Sequence, residues 1–203
     1  MMQSTSNRQA APTPVKRSRG GTQPLPLSRD DIVVAALPLL ERHGVDALTV
    51  RAVADELGIS SPAIYHYFAN RDALIDRLCE QVATEVDVEI APGTAWDDGI
   101  VQVLLNMDRA FARYPGVAPR VLSTRKPSAA ADRITSAVHR LVLDGGFTPD
   151  DAEVVLASLQ YVFGGWLLGK PGRRGAPRAT ADSLERSIRW LLAGATHETA
   201  STR

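Results

Sequence analysis

The chain of 203 residues holds a single cysteine, Cys79. One thiol leaves no internal disulfide framework and no multi-cysteine zinc site, and it fits a reducing compartment. An excess of either charge is also missing, since 23 Lys and Arg stand against 23 Asp and Glu. That balance argues against a globally basic nucleic-acid coat, an acidic tail protein and a polybasic membrane binder, so any such partner is met locally. No run reaches the roughly 18 apolar residues of a membrane span, and the N-terminus lacks the apolar core of a signal peptide. Period-2 alternation is absent as well. The expectation is a soluble, cytoplasmic, all-α protein without a membrane partner.

The zero net charge hides an asymmetry. Residues 1–29 carry Arg8, Lys16, Arg17, Arg19 and Arg29 without an acid, whereas residues 30–80 carry nine acids against four bases. Ser, Thr, Gln, Pro and Gly dominate this arm, and it has little apolar surface with which to repay ordering entropy. Residues 1–27 are therefore expected to be a disordered basic arm. It is either a solubilising extension or a segment that lies along phosphates or enters a minor groove.

Order is expected to begin at Ser28, which can N-cap a helix with Asp31 at the N3 position and Leu27 packed on Ile32. Ile32, Ala35, Ala36, Leu39 and Leu40 keep helical spacing up to a stop at Gly44, with a kink expected at Pro38. Thr49 caps a second helix that ends at Gly58. Ser60 caps a third, with Pro62 in its first turn and Phe68 near its end. Asn70 caps a fourth, expected to run to Pro92-Gly93. Further helices are expected at about 95–113, 117–124, 129–144, 149–169 and 181–196, punctuated by proline and glycine. The 149–169 helix is apolar nearly all round and needs cover on more than one side. A second copy of the chain supplies it, giving a homodimer with a four-helix seam that includes Leu184, Ile188, Leu191 and Leu192.

Two short helices joined by about three residues containing Gly fit a helix-turn-helix. The free face of the second offers Ser61, Ala63, His66 and Tyr67, short or planar groups suited to a major groove. The run from Ala47 to Leu74 makes the pattern specific. It contains Leu48-Thr49-Val50-Arg51, Leu57-Gly58-Ile59-Ser60, Tyr65-His66-Tyr67-Phe68 and Asn70-Arg71-Asp72-Ala73-Leu74. Over residues 28–80 the chain closely resembles the DNA-binding domain of the TetR family, the tetracycline-repressor-like regulators. The segment from Trp96 to Trp166 resembles the C-terminal domains of actinobacterial members.

This resemblance implies an N-terminal three-helix helix-turn-helix domain over 28–76, a helical ligand-binding and dimerisation domain over 77–197, and a tail at 198–203. It puts Thr49 and Arg51 on phosphate or a base edge and Ser61, Pro62 and Ala63 against bases. Tyr65 and Tyr67 would meet the backbone or a thymine methyl, and His66 and Arg71 phosphates. The free N–H groups at Ser60 and Asn70 suit phosphate on physical grounds alone. Packing is the competing role for Tyr65 and Phe68, and a solvated helix end for His66. Ala69 stands where the family often has a base, so the domain offers few cations of its own.

The implied function is a ligand-responsive transcriptional regulator, a repressor that binds a palindromic double-stranded DNA operator as a dimer and is released by a small, largely apolar effector. The alternative is a helical small-molecule binding protein or enzyme that keeps the fold without specific DNA binding. Asn106, Met107, Phe111, His139, Gln160, Phe163 and Trp166 are the candidate ligand residues, as polar groups on apolar helices or as aromatic and apolar walls. His139 is equally placed to be a surface residue beside Arg140. No catalytic residue, cofactor or metal site is expected. Gly164-x4-Gly169-Lys170 imitates a phosphate-binding loop, but Pro171 replaces its Ser or Thr and no strand precedes it. Ser123-Thr124-Arg125-Lys126 matches an acyl-enzyme pattern that lacks its partners.

Overall fold

Ser28 opens the first helix with a reciprocal cap. Its hydroxyl oxygen accepts from Asp31 N–H at 3.0 Å, and the Asp31 carboxylate accepts from Ser28 N–H at 2.9 Å. The computed structural model describes residues 27–123, 128–169 and 180–202, so the basic arm up to residue 26 lies outside the described residues. Nine helices are present among them: α1 (Arg29–Ala47), α2 (Val50–Leu57), α3 (Ser61–Tyr65), α4 (Arg71–Thr84), α5 (Trp96–Ala112), α6 (Val117–Ser123), α7 (Ala129–Asp144), α8 (Pro149–Gly169) and α9 (Ala181–Thr202). No strand occurs among the described residues.

The caps expected at Thr49 and Asn70 form, accepting from Ala52 N–H at 3.1 Å and Ala73 N–H at 2.8 Å. Gly58 closes α2 in the left-handed region, φ 66°, where a side chain would be strained. In α1 the backbone dihedrals stay helical through Pro38, and the stop expected at Gly44 is a backbone break with φ 74° and ψ 174°, after which a short turn runs on to Ala47.

Three other ends differ from expectation. α3 stops at Tyr65 because Tyr67 and Phe68 N–H groups turn back onto the Ile64 carbonyl, at 2.9 and 3.0 Å. α4 stops at Thr84, well before Pro92. Arg133 of α7 reaches across and donates to the carbonyls of Ala83, Thr84 and Val86, which ends the helix from outside. The tail expected at 198–203 is, through Thr202, a continuation of α9.

Ile32, Leu40, Val53, Ile64, Leu74, Ile75 and Leu78 are fully buried where α1 packs on α2 and α4 and α3 on α2. Each such aliphatic side chain contributes roughly 1.5–3 kcal/mol by leaving water. The boundary expected between residues 76 and 77 falls inside α4, so the head and the following helices share one rigid element. α5 packs on α7 and α9, and α8 on α7, α9 and α6. α8 is long and apolar enough by composition to cross a membrane, with mean hydropathy 1.3. Packing accounts for part of that apolarity: Ala152, Val155, Leu156, Leu159, Phe163 and Leu167 are buried among the other helices, while Val154, Tyr161 and Leu168 stay exposed. The Gly164–Gly169 stretch is helical and cannot wrap a phosphate, while Thr124–Lys126 and Lys170-Pro171 lie outside the described residues.

Candidate DNA-reading face and effector cavity

The α2–turn–α3 unit presents one solvent-facing set of side chains. Arg51 is 86 % exposed, and among the described residues its one ionic partner is Asp55, one turn along, at 3.8 Å. A surface pair of that kind contributes about 0–1 kcal/mol, so the guanidinium is available to a phosphate or base. Thr49 uses its hydroxyl oxygen as a cap acceptor and keeps the hydroxyl hydrogen to donate. Ser60 precedes α3 in extended geometry without a side-chain capping bond. Pro62 and His66 are exposed, Ser61 and Ala63 half-buried, and Tyr65 is 52 % exposed. Tyr67 is split, with its ring packed partly against the core. Phe68 is buried under Arg29, whose guanidinium lies 5.9 Å from the ring centroid, so packing is its role.

Arg71 is turned inward, against the expectation of a phosphate contact. Its Nε donates to Leu48 O at 2.7 Å, and its Nη2 to the carbonyls of Val45 and, at 3.2 Å, Asp46. These carbonyls belong to the end of α1 and the turn before α2. Arg71 thus sets the position of Thr49 and α2, and two of its three nitrogens are committed to that task.

A cavity of about 580 Å³ opens among α4, α5, α6, α7 and α8. Of the candidate ligand residues, Met107, Phe111, Gln160 and Phe163 line it. The structure does not bring the other three there. Asn106 donates to Asp87 O at 2.8 Å and accepts from Arg109, which fastens the segment between α4 and α5. His139 lies 3.9 Å from Glu153 at the junction of α7 and α8. Trp166 donates its indole N–H to the buried Asp108 carboxylate at 2.8 Å. An indole held in that bond is a brace between α5 and α8 rather than a cavity wall.

Sequence reasoning missed the α4 wall of the cavity: Asp76, Arg77, Cys79, Glu80 and Ala83. Helical spacing places Asp76, Cys79 or Glu80, and Ala83 along one face, but nothing in the sequence tells which elements that face meets. Leu104, Ile134, Val138, Leu156 and Leu159 complete the apolar lining. Burial raises the Cys79 thiol pKa to about 11, with nearby Arg120 opposing and Asp76 adding to the shift. Such a thiol stays protonated and inert at neutral pH. Beside the cavity, Arg120 of α6 donates to Asp76 at 2.6 and 2.9 Å and approaches Asp72 at 3.5 Å. No cluster of three or more His, Cys, Asp or Glu among the described residues is arranged to hold a metal ion.

Comparison with known proteins agrees with this geometry. The family model for bacterial regulatory proteins, tetR family, matches residues 32–78, which span most of α1 through α4. The tetracycline repressor protein class D of Escherichia coli is 30 % identical over 172 residues, covering 82 % of this chain and 78 % of the relative. Among solved structures, ActR of Streptomyces coelicolor in complex with actinorhodin superposes with TM-score 0.71 at 22 % identity, covering 86 % of this chain and 99 % of that one. BioQ with its double-stranded DNA operator superposes with TM-score 0.69 at 22 % identity, covering 83 % and 98 %. On the strength of the family model and a relationship at 30 % identity that covers about four-fifths of both chains, the chain belongs to the TetR family of bacterial transcriptional regulators.

Proposed function

We propose that the protein is a cytoplasmic, ligand-responsive repressor that binds a palindromic operator as a homodimer and is released by a small, largely apolar effector. The observation that carries this function is one helix with two duties. α4 anchors the α2–α3 face through Arg71 at its first turn and walls the 580 Å³ cavity through Asp76 to Ala83. The volume suits a drug-sized molecule, and the apolar lining suits an aromatic one. The actinorhodin complex of ActR and the operator complex of BioQ lend support by analogy of fold.

On the DNA side, Thr49, Arg51, Ser60, Ser61, Pro62, Ala63, Tyr65, His66 and Tyr67 form the reading face, with Arg71 as their positioning residue. Thr49, Arg51 and Ser60 serve phosphates, while Ser61, Pro62, Ala63 and Tyr65 approach base edges in the major groove. Homodimerisation is supported by an uncovered apolar stripe on α8, where Val154, Tyr161 and Leu168 recur every seven residues and are exposed.

The test is fluorescence anisotropy of the purified protein with its own upstream intergenic DNA and with random DNA of equal length, at two salt concentrations. Specific, salt-sensitive binding at least ~10³ tighter than to random DNA is expected. Absence of binding to either DNA at low salt would instead favour the small-molecule binding or enzymatic reading of the same fold.

A further inference from the structure

Besides the neutral Cys79 thiol, the cavity wall contributed by α4 carries three acidic or basic side chains, Asp76, Arg77 and Glu80. Two are answered by opposite charge within the protein. Asp76 receives two bonds from Arg120, and Arg77 donates to Asp30 at 3.1 Å. Glu80 differs. Its oxygens accept from neutral donors, the Ser128 hydroxyl and, at 3.0 Å, the Ala130 backbone N–H. Among the described residues no cation bonds to it, and Arg133, the α7 side chain that reaches α4, is spent on backbone carbonyls.

The remaining surroundings sharpen the effect of that charge. Glu80 is half-buried, and the facing walls are mostly apolar or aromatic, among them Met107, Phe111, Ile134, Leu159 and Phe163, with Thr135 and Gln160 as neutral polar groups. In such a setting a carboxylate is poorly screened, and the first turn of α7 offsets only a fraction of its charge. Two accepted bonds leave lone pairs on both oxygens. An anionic guest would meet repulsion, a neutral one would gain only burial, and a cationic one would gain a charge-assisted bond.

The geometry points to an effector built as an apolar, aromatic scaffold bearing a protonated amine or comparable cationic donor, with Glu80 as its charge partner in the cavity. This deepens the effector reading above and rests on it.

A matched set of fluorescent anthracenes tests the charge term on the full chain: 9-(aminomethyl)anthracene, 9-anthracenemethanol and 9-anthracenecarboxylate, titrated at pH 7. The ammonium probe is expected to bind at least about tenfold tighter than the alcohol, with the carboxylate weakest. Glu80→Gln should erase the preference for the ammonium while leaving the affinity for the alcohol. Ser128→Ala keeps the carboxylate and removes one neutral donor, so the preference should persist or grow there. Leu159→Trp, which fills the cavity, should abolish binding of all three.

Equal binding of the three probes, or a preference that survives Glu80→Gln, overturns the role of Glu80 while the alcohol continues to report a working cavity. Binding of no probe, or binding untouched by Leu159→Trp, overturns the cavity as the effector site and the charge preference with it.

Discussion

Val45 donates its backbone N–H to the carbonyl oxygen of Pro115 at 2.8 Å, which ties the end of α1 to the turn between α5 and α6. The approach is close enough to dictate the residue beside it. A Cβ on Gly44 would lie 2.9 Å from Pro115 O and 3.1 Å from Pro115 Cβ, and Gly44 already holds φ at 74°. The DNA-reading head is thereby locked to the body at a second place besides α4.

Gly44→Ala should accordingly destabilise the fold by about 1–3 kcal/mol, from backbone strain plus the displaced Pro115 contact. Urea unfolding reads this directly. Stability within ~0.5 kcal/mol of the parent would show that the contact yields without cost.

Arg51 and Arg71 carry the same charge in the same head but should fail in different ways. Arg51→Ala and Tyr65→Ala are expected to lower operator affinity by ~1–3 kcal/mol each with stability nearly unchanged, because both side chains are exposed. Arg71→Ala should instead cost roughly 1.5–3 kcal/mol of stability, since its bonds to the Val45, Asp46 and Leu48 carbonyls are charge-assisted. Arg71→Lys should rescue little of this, as one ammonium cannot copy the guanidinium fork. Operator affinity and unfolding midpoints, measured on the same preparations, separate the two roles.

What was legible in the sequence was local. Ser28, Thr49 and Asn70 announce their helices because a cap and its target lie three residues apart. The helix-turn-helix and most helix spans followed from such signals, and Met107, Phe111 and Phe163 followed from apolar spacing. What escaped was set by tertiary contact. Arg71 meets carbonyls 23 to 26 residues upstream, and Arg133 ends α4 from about 50 residues away. Trp166 finds Asp108 across 58 residues, which no periodicity encodes. Glu80 escaped because a polar residue on a helix reads as solvent-facing until the helix opposite is known.

Cys79 offers a chemical check on the cavity wall. With the thiol pKa raised to about 11, the native thiolate fraction at pH 8 is only about 0.1 %. Ellman's reagent should therefore react with the native protein far more slowly than with the urea-unfolded chain. The linked stability has a defined sign: it is intact below the unfolded pKa near 9 and is lost as pH rises toward about 11. Comparable labelling rates for native and unfolded chains would mean that the α4 wall opens to solvent.

The basic arm can be tested without knowing its conformation. Residues 1–24 carry Arg8, Lys16, Arg17 and Arg19 and no acid. If they meet phosphates, deleting them should weaken operator binding and flatten the salt slope by one to a few units, at about 0.9 per phosphate. An unchanged slope would assign the arm to solubility alone.

The exposed stripe on α8 bears on DNA reading as much as on assembly. Tyr161 is 80 % exposed and Val154 66 %, and Trp190 of α9 is 68 % exposed. Large apolar side chains left in water on two helices that pack on each other form a surface fit for a second copy, whose seam should bury on the order of 1,200–2,000 Å². A palindromic operator needs two heads about 34 Å apart, so a monomer reads only half of it. Tyr161→Glu combined with Val154→Glu should therefore shift sedimentation from dimer to monomer at micromolar concentration. Operator affinity should fall by more than the ~1–3 kcal/mol of a single lost base contact, although every residue of the reading face is intact. A double variant that stays dimeric would place the seam elsewhere, and one that becomes monomeric with full operator affinity would remove the requirement for two heads.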